Sequence, residues 1–147
     1  MRKFFLLIVL TVSIVSCNLL SPYGKAVKIN DSLEVYIKGD STTEADAKKL
    51  GNYLAELWKE NTNHKSIQLV KEQQAYIIKM VADEKVLKAD PSLEAAFSTV
   101  RDLIEANVFT GSNVKLILTN EKFEDIKVYE KPVAAPASNN TDSTSSK

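Results

Sequence analysis

The sequence predicts an α+β fold: a ferredoxin-like two-layer sandwich of order βαββαβ, extended by a short C-terminal strand. Three observations point to it. Between residues 29 and 130, stretches with an apolar residue at every second position alternate with two stretches whose apolar residues recur every three or four. A hairpin pattern lies between the two helical stretches. Polar segments without a period bound this region on both sides.

The elements follow in order. Leu33, Val35 and Ile37 alternate with Glu34, Tyr36 and Lys38, which is the pattern of a half-buried strand. Gly39-Asp40-Ser41 turns the chain. Thr43 with Asp46 three residues on suits a helix start related to the capping box. Ala47, Leu50, Leu54, Leu57 and Trp58 then form one apolar helix face. Gly51 shares that face; glycine inside a helix costs about 1 kcal/mol relative to alanine, so its presence points to close packing on the sheet. Asn61 to His64 is a loop, followed by strands at Ser66–Lys71 and Ala75–Ala82 that pair as a hairpin through Glu72-Gln73-Gln74. Asp90-Pro91 opens a second helix, with Asp as cap and Pro in the first turn. Its apolar face is Leu93, Ala96, Phe97, Val100, Ile104 and Val108, and Gly111 marks its end. Val114–Thr119 and Glu124–Tyr129 are the last two strands, the final one pairing with its predecessor at an edge.

The stretch from Thr43 to Leu54 resembles the helix of a small bacterial domain with the pattern T-E-A-[DE]-A-K-x-L-G-x-Y-L. The resemblance continues through the hairpin, Asp90-Pro91 and Asn107-Val108-Phe109-Thr110-Gly111 in the same order. It implies the fold unit and brings no functional residue with it.

The flanks carry the clearest motif. Arg2-Lys3 precede an apolar run from Phe4 to Val15, broken only by Thr11 and Ser13. That run is too short for a membrane-spanning helix, which needs roughly 20 residues, and it fits a signal peptide. Ile14-Val15-Ser16-Cys17 then resembles the bacterial lipobox, and Cys17 is the only cysteine in the chain. The resemblance implies cleavage before Cys17, three acyl chains on that residue and a stable membrane anchor. The competing readings are an uncleaved anchor or an ordinary secretory signal with a chance cysteine. Asn18 stands where an Asp retains enterobacterial lipoproteins in the inner membrane, which points to the outer membrane. The expected organisation is a signal peptide over 1–16, a lipid anchor and tether over 17–28, the domain over 29–130 and a disordered tail over 131–147. The tail is rich in Pro, Ala, Ser, Asn and Thr and has too little apolar surface to offset ordering.

Charge and composition narrow the function. Nineteen basic residues balance nineteen acidic ones, so the chain lacks the clustered basic surface of a nucleic-acid binder. A lone cysteine excludes an internal disulfide framework. His64 is the only histidine and reads as a solvated loop residue, since a zinc site needs more donors of its kind. Asp102 and Glu105 are neighbours on one helix turn; a solvated helix face accounts for them better than a cation site. No residue is assigned a catalytic role, and no metal or cofactor is expected.

The face of the sheet opposite the helices is the remaining candidate. Alternation places Tyr36, Ile77, Lys79, Ile117 and Tyr129 there, with Glu34, Lys38, Val81, Lys115 and Lys127 beside them. Mixed aromatic, aliphatic and lysine side chains make a binding face, although β-propensity alone favours such residues on open sheets. The expectation is a non-enzymatic envelope lipoprotein that touches the membrane through Cys17 and binds another envelope protein or itself. Two alternatives stand beside it: a small-molecule or ion-binding sensor, and a peptidase inhibitor acting through the tail.

Overall fold

The computed structural model describes residues 21–131 apart from position 62. Its sheet has six strands: β1 (Lys25–Lys28), β2 (Leu33–Lys38), β3 (Lys65–Glu72), β4 (Ala75–Val81), β5 (Asn113–Thr119) and β6 (Asp125–Tyr129). The helices are α1 (Glu44–Leu57), α2 (Glu84–Ala89) and α3 (Ser92–Asn107). The α+β class is as expected.

Local chemistry explains where the helices begin. The Thr43 hydroxyl accepts from the Asp46 N–H at 3.1 Å, and the Asp46 carboxylate accepts from the Thr43 N–H at 3.2 Å, a complete capping box. At α3 the Asp90 carboxylate accepts from the Ser92 N–H at 3.0 Å and from its hydroxyl at 2.5 Å. Those bonds hold the Asp90 carboxyl below its ordinary range. Pro91 supplies a helical φ of −61° in the turn. Gly111 lies beyond the helix end at φ +81°, shaping the turn into β5.

Register then gathers one core. Ile37, Leu69, Ile78, Leu116 and Tyr129 lie opposite one another in a row across β2 to β6, and Val35, Ile67, Met80 and Leu118 form the row beside it. Leu50 and Leu54 of α1 and Ile104 of α3, none of them exposed, complete the same cluster. Gly51 faces Ile29 and Val35, whose side-chain atoms lie 2.3 and 3.3 Å from where a Cβ would sit. Close helix-on-sheet packing is therefore the reason for this glycine. Tyr76 stacks on Phe109 at 3.7 Å, and the Tyr53 hydroxyl accepts from Asn107 of α3 at 3.4 Å. Both long helices therefore cover the same face.

The strand order departs from the ferredoxin-like expectation. The strands run in chain order, β1-β2-β3-β4-β5-β6, and are not interleaved. Both crossovers, β2 to β3 and β4 to β5, join adjacent parallel strands, while the β3–β4 hairpin reverses direction between them. The difference shows at the outer edge of β2. In an interleaved sheet the last strand of the βαββαβ unit would pair there, but β1 takes the place, pairing Lys25–Lys28 with Glu34–Ile37. The two crossovers advance in the same direction on oppositely directed strands with their helices on one face. They must therefore have opposite hands, and one carries the uncommon left-handed sense.

One further expectation is corrected. The tether assigned to 17–28 ends earlier, because Lys25–Lys28 is a strand. Its backbone comes so close to β2 that a Cβ on Gly24, which has φ +104°, would stand 2.0 Å from the Ile37 carbonyl oxygen. The segment after β4 contains α2, capped by Asp83 accepting from the Lys85 N–H at 2.8 Å. Of the tail assigned to 131–147, Lys131 pairs with Glu105 at 2.5 Å and the remainder lies outside the described residues. Among the described residues no helix is long and apolar enough to cross a membrane.

Gly24→Ala is expected to destabilise the domain by about 1–3 kcal/mol, the range for a strained backbone position, read as a lower midpoint in urea unfolding. A second expectation concerns the tie between β1 and α1, where Glu44 pairs with Lys25 at 3.0 Å and Lys48 at 2.9 Å. Bonds from Lys48 and then Lys25 lower its carboxyl pKa to about 2. A lowered folded pKa means the pair is fully formed above the unfolded value of 4.5 and is lost as pH falls through about 2. An NMR titration should find that midpoint, and Lys25→Ala should raise it.

Candidate functional site: the open sheet face

The face away from the helices carries a row formed by Tyr36, Gln68, Lys79, Ile117 and Val128, one residue from each strand from β2 to β6. Two short segments fold over it. The first is the turn before β1, where the Gly24 N–H donates to the Ser21 carbonyl at 3.0 Å. The Tyr23 carbonyl accepts from Gln68 Nε2 at 2.8 Å, and Gln68 is only 1% exposed. A buried amide in the middle of a sheet needs such a partner; Tyr23 supplies it and is seated by it.

The second segment is the turn from β5 into β6. Asn120 Oδ1 accepts from the N–H groups of Lys122 and Glu124 at 2.9 and 3.0 Å. These bonds hold Phe123 at φ +59°, a left-handed conformation uncommon for a bulky residue. The Lys79 ammonium donates to the Phe123 carbonyl at 3.3 Å and pairs with Asp125. The result is a trio of rings: Tyr23–Phe123 at 5.4 Å, Tyr36–Phe123 at 5.9 Å and Tyr23–Tyr36 at 6.2 Å, all edge to face. Each such contact contributes about 0.5–1.5 kcal/mol beyond burial.

Beside the trio a groove of about 320 Å³ is lined by Tyr23, Tyr36 and Phe123 with His64, Lys65, Ser66, Val81 and Glu121. Two of its polar side chains are engaged. The Tyr36 hydroxyl donates to Glu34 at 2.9 Å, and burial followed by this bond raises its pKa. The Lys65 ammonium donates to the Asn61 and Asn63 carbonyls and to Asn61 Oδ1, while burial lowers its pKa. A second hollow, of about 340 Å³, lies between α2, α3 and β6 over Leu87, Pro91, Leu93, Ile126 and Tyr129. The charges at its rim pair with each other, Lys88 with Glu84 and Lys127 with Glu94.

Of the residues expected on the open face, Tyr36, Ile77, Lys79 and Ile117 share it. Ile117 is only 5% exposed, so part of the face is closed. Tyr129 is a correction. It pairs with Leu116 in the helix-side row and packs on Phe97 at 6.0 Å, and Lys127 lies on that side too, tied to Glu94 of α3. Alternation groups Lys127 with Tyr129 without saying which side of the sheet they take; their pairing with Leu118 and Leu116 puts both on the helix side. Val128, 46% exposed, takes the open side. His64 is exposed at the groove rim. Asp102 pairs with Arg101 and Glu105 with Lys131, each at 2.5 Å. Among the described residues no group of three or more His, Cys, Asp or Glu is placed to hold a metal ion. Cys17 lies outside the described residues. Tyr23 and Phe123 were not among the expected site residues; the available signal was a single large apolar residue stranded in each of two polar turns.

A family model described as AF_1994_N, a family N-terminal domain, matches residues 26–130. The chain belongs to this family. No curated protein and no solved structure matches it. The AF_1994_N match takes in all but the first residue of β1 and continues past β6, so the edge strand belongs to the family's unit. It includes Tyr36, Gln68 and Phe123 and begins after Tyr23.

Gln68→Leu removes the donor that seats the Tyr23 carbonyl. A hydrogen bond of this kind contributes about 1 kcal/mol, so amide exchange at Gly24 should accelerate by about fivefold while the helix-side core keeps its protection. Unchanged exchange at Gly24 would show that the turn is held by other means.

Proposed function

We propose that this chain is a lipid-anchored protein of the bacterial cell envelope, held in the outer membrane through Cys17, and that its α+β domain is a non-enzymatic contact module. What it contacts is another component of the envelope. The anchor rests on the order of Arg2-Lys3, the apolar run and Ser16-Cys17. The contact role rests on one observation above all: the Tyr23–Tyr36–Phe123 trio is held in place on the bare sheet face by a buried amide and a strained turn. Left-handed backbone at a bulky residue persists where the surroundings impose it and recurs at binding surfaces. Half-buried Ile77 and exposed Val81 and Val128 extend the surface.

A second reading has its own support. The groove of about 320 Å³ beside the trio, edged by His64, Lys65, Ser66 and Glu121, combines apolar walls with a few polar groups, as small-molecule sites do. In that case the domain is a sensor.

The anchor is tested by Cys17→Ala. Intact-mass analysis should find three acyl chains on the mature wild-type chain beginning at Cys17, and the variant should leave the membrane fraction. A wild-type chain bearing no acyl mass at Cys17 would end the reading. Contact is tested by photocrosslinking in cells: a crosslinker replacing Val128 should capture an envelope component, whereas one replacing exposed Asn52 on α1 should not.

A further inference from the structure

The component that the sheet face meets follows from where the chain enters the domain. From Cys17 to Ser21 there are four residue steps, which span at most about 14 Å when fully extended. Ser21 is already part of the folded turn, through its carbonyl bond to the Gly24 N–H, and Tyr23 is fixed over the middle of the open face by Gln68. The described chain therefore enters the domain over this face, on the side opposite the helices. The headgroup layer of one leaflet is roughly 5–8 Å deep, so a tether of this length leaves no room for a folded protein between face and bilayer.

We infer that the open sheet face seats on the lipid headgroup layer of the membrane that holds the anchor. The inference rests on the proposed lipidation of Cys17. The chemistry of the face fits an interface. Tyr23 and Tyr36 present an apolar ring with a polar tip, the side-chain type enriched at headgroup depth, and Val128 adds apolar area. Charge on the face is of mixed sign with no excess of lysine: Lys79 pairs with Asp125 and Lys115 with Glu130, and Lys38 and Glu34 offset each other in sign. Seating is thus driven by aromatic and apolar insertion beside a covalent anchor, not by attraction to anionic lipid. It should be the same in zwitterionic and anionic vesicles and insensitive to salt. The helix side then faces away from the membrane and is the surface left for any protein partner.

The test uses the full lipidated chain in phosphatidylethanolamine–phosphatidylglycerol vesicles containing acyl-brominated lipid. Trp58, the only tryptophan, is replaced by Phe, and reporters are placed one at a time: Tyr36→Trp and Val128→Trp on the sheet face, Asn52→Trp on α1. Quenching should be at least twofold stronger from both sheet-face positions than from position 52. A ten-residue Gly-Ser insertion between Leu20 and Ser21 should reduce that difference while leaving the acyl mass unchanged. Equal quenching from all three positions in a chain carrying its acyl groups overturns the seating and frees the sheet face for a protein partner. A chain without acyl mass at Cys17 overturns the anchor and the seating together, so the two failures are distinguishable.

Discussion

Everything in this molecule depends on one constraint: both crossover helices fall on the same side of the sheet. Five strands must then send their larger apolar residues to that side, and the rows from Ile37 to Tyr129 and from Val35 to Leu118 do so. A sheet covered on one face only leaves the other to water, and antiparallel and mixed sheets tolerate this where alternation supplies polar residues. Here the alternation is incomplete. Gln68, Ile117 and Thr119 point to the open side and are still buried. The turns bearing Tyr23 and Phe123 resolve that conflict by covering the centre of the open face with aromatic rings. The candidate site is thus a by-product of one-sided packing, made specific by two turns.

Much of the architecture was legible because it is local. The alternation of Leu33, Val35 and Ile37 located β2, and Thr43, Asp46, Asp90 and Pro91 located the helix starts through hydrogen bonds that span three residues or fewer. Two elements escaped because they hold too little pattern. In β1 only Val27 is buried, and one apolar residue has no period; in α2 no residue is fully buried and Leu87 alone packs on the core. Strand order escaped for a different reason. Whether β2 keeps its outer edge free for the last strand depends on β1, sixteen residues before α1, and nothing within β2 records it.

The site was legible in part for the same reasons. Period-two alternation placed Tyr36, Ile77, Lys79 and Ile117 on one face because all four sit on regular strands. It misplaced Tyr129, since alternation groups the residues of a short strand without saying which face of the sheet they take. It could not supply Tyr23 or Phe123, whose positions come from a buried amide and a left-handed turn. Alternation describes strands, and this surface is finished by turns.

Chain-order pairing has a consequence for how the molecule is made. A chain delivered N-terminus first can lay each strand against the one before it, with no strand waiting for a partner from the far end. Every strand pair joins strands that are consecutive in the chain, so none waits for the far terminus. An interleaved sheet would hold the edge of β2 open until β5 arrived, exposing unpaired backbone to other chains in the meantime. Here the short β1 seals that edge almost as soon as β2 forms, so the growing edge is always the newest strand.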